Sequence, residues 1–189
     1  HADAVEVLQT YINFETRNAE ARTLLGEAYY VAGDCKAAIE AYGIALSMDS
    51  RQRQAYLHRG LCYLQTGEIE EAESDLDRAL QYYPDDFELN LSLMRISMLN
   101  ERFGDAYLQG EQVLSSAETD EELALAYYWR ALNFEEREEP NKAADSWQAL
   151  LDLPRSATTI TMRAEARAKV GAFRTATPSA TASPTITAT

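Results

Sequence analysis

Few residues in this chain carry the chemistry of catalysis or metal binding. It holds two histidines, His1 and His58, and two cysteines, Cys35 and Cys62, which lie 27 positions apart. A zinc centre needs four nitrogen or sulfur ligands at short characteristic spacings, and this set does not supply them. There is no glycine-rich phosphate loop, no G-x-S-x-G elbow and no H-E-x-x-H pair on a helix. The acidic runs Glu68–Glu71 and Glu135–Glu139 read as solvated helix ends and faces. No catalytic, cofactor-binding or metal-binding residue is assigned, and the chain is expected to be neither an enzyme nor a cofactor carrier.

The cysteines leave one chemical option open. Their midpoint falls between Met48 and Asp49, in what reads as the loop joining two antiparallel helices. Residues so placed sit at the same height on adjacent helices, where a disulfide between Cys35 and Cys62 is geometrically conceivable. An oxidising compartment favours that bridge, whereas in the cytosol two buried thiols are expected. The Asn-x-Ser match at Asn90 falls on a predicted helix and is discounted as a glycosylation site.

Composition narrows the partners. The 189 residues are 46% hydrophobic and 25% charged, which suits a globular chain with a sizeable core. A formal charge of −14 argues against binding nucleic acid, which needs clustered Lys and Arg. No apolar run approaches the roughly 20 residues of a transmembrane helix, so no membrane span is expected. Charge is uneven: Arg155, Arg163, Arg167, Lys169 and Arg174 stand against the single acid Glu165 near the C-terminal end. The first residue is His1, so no signal peptide is legible, and this does not assign the chain to the cytosol.

The elements that must position these residues are helices with a regular repeat. In the stretch Arg53–Asp86, Tyr56, Gly60 and Tyr63 lie on one helical face, Gly67 ends that helix, Ala72, Leu76 and Ala79 mark a second, and Pro84 stops it. Stepping by 34 from Ala72 reaches Ala4, Ala38 and Ala106, and a three-residue insertion brings in Ala143. Leu8, Tyr42, Leu76, Gly110 and Trp147 follow at four positions, then Tyr11, Ala45, Ala79, Val113 and Leu150 at seven. Leu25, Gly26 and Tyr29 repeat the first-helix positions Arg59, Gly60 and Tyr63, whereas Leu93, Met94 and Ser97 match poorly and Tyr127, Ala131 and Phe134 in part.

This pattern resembles the tetratricopeptide repeat, a helix–turn–helix unit of about 34 residues. The resemblance implies an all-α, right-handed solenoid: a half-repeat at 2–14, full repeats at about 19–52, 53–86, 87–120 and 124–154, and a terminal half-repeat at 157–171 ended by Gly171. A tail at 175–189 follows, with eight Ser or Thr, two Pro and no charge. It reads as a flexible linker or an O-glycosylated stalk modified at Thr175, Thr177, Ser179, Thr181, Ser183, Thr185 and Thr187.

The family's groove positions correspond here to Tyr30, to Leu57, Leu61 and Leu64, to Leu91 and Met98, and to Tyr128, edged by Glu20, Glu27 and Glu88. Such a groove suits an extended, largely uncharged peptide. The carboxylate clamp of some relatives falls on Thr23, Glu27, His58, Glu88 and Ser92, none of which supplies its cation, so chaperone C-termini are disfavoured. The complementary half-repeats suggest a bacterial-type secreted or cell-envelope subunit that assembles head to tail into a filament through Val5, Leu8 and Tyr11 on one end and Ile160, Ala164 and Val170 on the other. In that reading the partner is the chain itself, with the Thr-rich tail docked on a neighbouring subunit or carrying covalent glycans, and the filament is extracellular. The alternative is a monomeric adaptor binding an extended peptide of another protein.

Overall fold

The computed structural model describes residues 2–176 of the 189. They form ten α-helices: α1 (Ala2–Phe14), α2 (Ala19–Val31), α3 (Cys35–Met48), α4 (Arg53–Thr66), α5 (Ile69–Tyr82), α6 (Phe87–Leu99), α7 (Phe103–Ser116), α8 (Asp120–Glu136), α9 (Pro140–Asp152) and α10 (Ile160–Ala176). A 3-10 turn at Arg155–Ala157 precedes α10. The architecture is all-α and built from tetratricopeptide-type helical hairpins. Two compact units divide it, the first spanning 1–116 with α1 to α7, the second starting at Ala117 with α8 to α10.

The hairpin turns share one backbone device. After α2 and α4, Gly33 and Gly67 take φ of +81° and +87°, in the left-handed region where a side chain is strained. Each donates its N–H to the carbonyl three residues back, and the next residue donates to the carbonyl five back: Gly67 to Leu64 and Glu68 to Tyr63. Glu101 and Glu138, with φ of +56°, repeat this bonding after α6 and α8 without the glycine. The helix starts are fastened as well. Asn18, Asp34 and Asp86 accept from the amides of Ala21, Ala37 and Leu89, Thr119 and Glu122 form a capping box, and Pro140 opens α9.

The lattice of small and large residues becomes the core. Ala38, Tyr42 and Ala45 on α3, Ala72, Leu76 and Ala79 on α5, and Ala143, Trp147 and Leu150 on α9 are all buried. Tyr56, Leu57, Leu89, Leu93 and Ile96 close around the α5 set in one cluster. Gly26 explains how Tyr42 enters its layer, since a Cβ there would lie 2.5 Å from the Tyr42 ring. One buried ion pair ties α4 to α5: Arg59 donates from Nε and Nη2 to the two Asp75 oxygens, each at 2.7 Å.

Both flanking helices depart from their expected registers. On α1 the seam against α2 is formed by Val5, Leu8 and Ile12, while Ala4 and Tyr11 are exposed, a shift of one position from the lattice. α10 does not stop at Gly171 but continues to Ala176, so Thr175 belongs to its backbone. Its packed face is Ala166 and Val170, set against Trp147 and Leu150. Thr177, Ser179, Thr181, Ser183, Thr185 and Thr187 lie outside the described residues.

Candidate peptide groove

In the first unit, α2 and α4 bring a small aromatic and polar cluster together. The rings of Tyr30 and His58 stack with centroids 5.0 Å apart and planes 8° from parallel. Tyr42, rising from α3, tilts at 51° to the same imidazole with centroids at 6.2 Å. One turn back on α2, Glu27 points its Oε1 toward His58 Nδ1 across 3.9 Å, beyond direct hydrogen-bond reach. Neither His58 Nδ1 nor the buried Tyr42 hydroxyl has a hydrogen-bond partner. Burial pushes the Tyr42 phenol well above its ordinary range, with the nearby Glu27 charge adding to the effect. Burial also raises Tyr30, helped by the Cys62 and Cys35 thiols and by Glu88.

Arg53, at the start of α4, forms the edge of the same face. It donates to both carboxylate oxygens of Asp86 and, from Nη2 at 3.1 Å, to Glu88. Asp86 in turn caps α6 through Leu89 N–H at 3.0 Å. One arginine thus links the N-termini of α4 and α6, the two helices that carry the groove positions 57–64 and 91–98.

The expected groove residues separate into two groups. Tyr30, Leu61, Leu64 and Met98 are half-buried and available to a face. Leu57 is not: it is 0% exposed, enclosed between α4, α5 and α6, and Leu91 is nearly closed at 9%. The groove lining on α4 is therefore one residue further along, at His58. Tyr128 belongs to the second unit, where its hydroxyl donates to Glu165 of α10 at 3.1 Å and its ring meets Trp147 edge-on at 5.4 Å. Among the clamp positions, Thr23 and Ser92 are buried, and Thr23 donates to the Ala19 carbonyl.

The remaining candidates are placed as follows. Val5 and Leu8 pack half-buried against α2, and Tyr11 is 44% exposed. Ile160 is 91% exposed, Ala164 is exposed, and Val170 is buried in the α8–α10 core because α10 packs through Ala166 and Val170. Cys35 and Cys62 are buried free thiols in the cluster around Tyr42. Cys35 donates to Gln65 Oε1 at 2.7 Å, and burial together with a hydrogen bond to Cys35 raises the Cys62 thiol far above its usual range. Among the described residues, no three His, Cys, Asp or Glu side chains form a metal-binding group, and no helix is long and apolar enough to cross a membrane.

Comparison with known proteins places this geometry in a family context. The tetratricopeptide repeat family matches residues 23–87, the stretch from α2 through α5. A TPR repeat-containing protein of Methanocaldococcus jannaschii is 35% identical over 75 residues, which are 40% of this chain and 12% of that protein. Sperm-associated antigen 1 of Rattus norvegicus is 37% identical over 68 residues, 36% of this chain and 7% of that protein. The chain thus spans only a small part of these curated relatives.

Solved tetratricopeptide structures share the fold at greater distance. YrrB, described as a TPR protein with an unusual peptide-binding site, superposes with a TM-score of 0.74 at 18% identity, covering 91% of this chain and 84% of its own. MamA from Desulfovibrio magneticus RS-1 gives 0.74 at 16% identity, covering 84% and 88%. Tetratricopeptide arrays are protein–protein interaction scaffolds, generally without catalytic activity.

Proposed function

We propose that the first unit binds an extended peptide of a partner protein on the face shared by α2, α4 and α6. The observation that carries this reading is the parallel stack of Tyr30 on His58, with Leu61 and Leu64 of α4 and Met98 of α6 half-buried. Flat aromatic surface beside aliphatic side chains is what an extended chain packs against, with low entropy cost to the rings. The fold-level likeness to YrrB, described as a TPR protein with an unusual peptide-binding site, supports the same use. A peptide array probed with the whole chain and with Tyr30→Ala tests it. Binding that Tyr30→Ala weakens tenfold or more is expected; an array with no signal, or one indifferent to the substitution, refutes the reading.

A second reading, head-to-tail self-assembly into a filament of a bacterial secreted or cell-envelope protein with a glycosylated tail, is favoured by a separate observation. Val7, Tyr11 and Leu24 are exposed around a 390 Å³ cleft between α1 and α2, and Phe14 is 84% exposed. In the second unit, Arg155, Arg163 and Arg167 surround a 260 Å³ recess beside Ile160. The first surface is apolar with Glu20 at its edge, and the second sets arginines around the exposed Ile160, so apolar contact and one carboxylate for those arginines are on offer. Light scattering over a concentration series checks this: growth with concentration that Arg167→Glu abolishes is the expected result. A strictly monomeric chain at high concentration removes it.

A further inference from the structure

The face described above holds two buried polar atoms without a hydrogen-bond partner, His58 Nδ1 and the Tyr42 hydroxyl, beside the half-buried Glu27 carboxylate. Glu27 Oε1 and His58 Nδ1 are 3.9 Å apart, too far to bond each other and close enough for one donor nitrogen, at about 2.9 Å from each, to bridge them. The Tyr42 hydroxyl, on a wholly buried side chain, has no partner and lies in the same cluster. A buried polar group without a partner is costly, so it calls for an explanation, and a bound donor is one. Gly26 deepens the point, because only a residue without Cβ admits the Tyr42 ring to this layer.

Charge and shape identify what fits. Glu27 has no Lys or Arg partner among the described residues. The two arginines of α4 are already engaged, Arg59 with Asp75 and Arg53 with Asp86 and Glu88. An approaching group therefore meets an uncompensated carboxylate and the Tyr30 ring, with a buried imidazole nitrogen, an acceptor when the proton sits on Nε2, 3.9 Å from that carboxylate. A primary ammonium has three donors and no acceptor, and it is attracted to aromatic faces. A carboxylate or phosphate would meet like charge at Glu27.

We infer that Glu27, Tyr30, Tyr42 and His58 form a binding site for a primary ammonium group, which a lysine side chain or the free amino terminus of a partner peptide supplies. This inference rests on the peptide-binding reading of the same face and adds the chemistry that selects the peptide. The places at which some relatives hold cations for a carboxylate here hold Glu27 and His58, so the preference in charge is reversed.

NMR titration of the whole chain tests it, because His58 and His1 are the only histidines and the imidazole signals are few. The probes are capped nonapeptides of Ala, Thr and Pro with a central Lys, acetyl-Lys or norleucine, the uncapped Lys-free peptide, and n-butylammonium alone. The Lys peptide is expected to shift His58 and Tyr30 signals to saturation and to bind at least tenfold more tightly than its acetyl-Lys and norleucine counterparts. Glu27→Gln is expected to remove that tenfold preference. Tyr42→Phe is expected to weaken the Lys peptide several-fold without loss of helical content. The uncapped Lys-free peptide binding as tightly as the Lys peptide assigns the site to an amino terminus; the reverse order assigns it to lysine. Equal binding of Lys and norleucine peptides, unaffected by Glu27→Gln and with no response to n-butylammonium, means the cluster holds a water only. That result overturns the ammonium site and leaves the groove standing. No shift of Tyr30 or His58 with any peptide overturns both.

Discussion

Replacing Asp86 probes the point at which two repeats are joined. Its carboxylate caps α6 through the Leu89 amide and receives the Arg53 guanidinium, with side chains only 17% and 26% exposed. Loss of an N-cap costs about 1 kcal/mol, and loss of a charge-assisted hydrogen-bond pair about 1.5–3 kcal/mol. Asp86→Ala should therefore destabilise the first unit by about 2.5–4 kcal/mol. Asp86→Asn keeps a good capping residue and should cost only the charge part, about 1.5–3 kcal/mol. Urea unfolding reads both. Trp129 and Trp147 are the only tryptophans and lie in the second unit, so fluorescence follows that unit while far-UV dichroism sums the two.

The pH dependence of the same residue has a definite sign. Burial pushes the Asp86 carboxyl upward, but the Arg53 guanidinium and the backbone amides of Leu89 and Glu88 outweigh it and hold the group below its ordinary 3.8. A carboxyl depressed in the folded state contributes stability that is present above the ordinary value and lost as pH falls through the folded one. The wild-type chain should thus lose stability below about pH 4, and Asp86→Asn should flatten that slope. A change under about 0.5 kcal/mol for Asp86→Ala, or an unaltered acid limb in Asp86→Asn, refutes the argument.

Three further substitutions follow from local geometry. Gly26→Ala places a Cβ 2.5 Å from the Tyr42 ring and should destabilise by about 1–3 kcal/mol in thermal or urea unfolding, with loss of the Tyr30–His58 stack seen as altered ring shifts. Asp75→Ala leaves Arg59 buried without its carboxylate and should cost about 3–5 kcal/mol, more than any exposed pair on the chain. Glu101→Gly and Glu138→Gly relieve a left-handed backbone that a side chain disfavours, and each should raise stability by about 0.5–1 kcal/mol in urea titrations.

The helical hairpins were legible because their determinants are local. Ala72, Leu76 and Ala79 recur at a fixed step, and Gly67 and Pro84 end helices by constraints on their own backbones. The third and fourth hairpins were harder to read because Glu101 and Glu138 adopt the turn that Gly33 and Gly67 announce. That turn is imposed by the carbonyls it satisfies, which composition does not display. At the site, register decided the outcome. The family's groove positions pointed to Leu57, but α6 covers that residue, and it is the neighbouring His58 that stacks on Tyr30. His58 was visible in the sequence only as a position lacking a cation, and the stack with Tyr30 depends on a 28-residue separation that no helical period encodes. The α1 and α10 seams moved because the buried contacts of these helices, Ile12 on α1 and Ala166 with Val170 on α10, set their rotation.

Cys35 and Cys62 lie beneath Tyr42, one at the start of α3 and the other in the middle of α4. Cys62 is wholly enclosed, and its thiol resists ionisation, so a reagent that attacks thiolates reaches it only when these helices part. Its rate of alkylation is then a clock for that opening, written into the chain without any added label. A peptide lodged on Tyr30 and His58 would hold α2 and α4 together, and the clock should slow in proportion to occupancy.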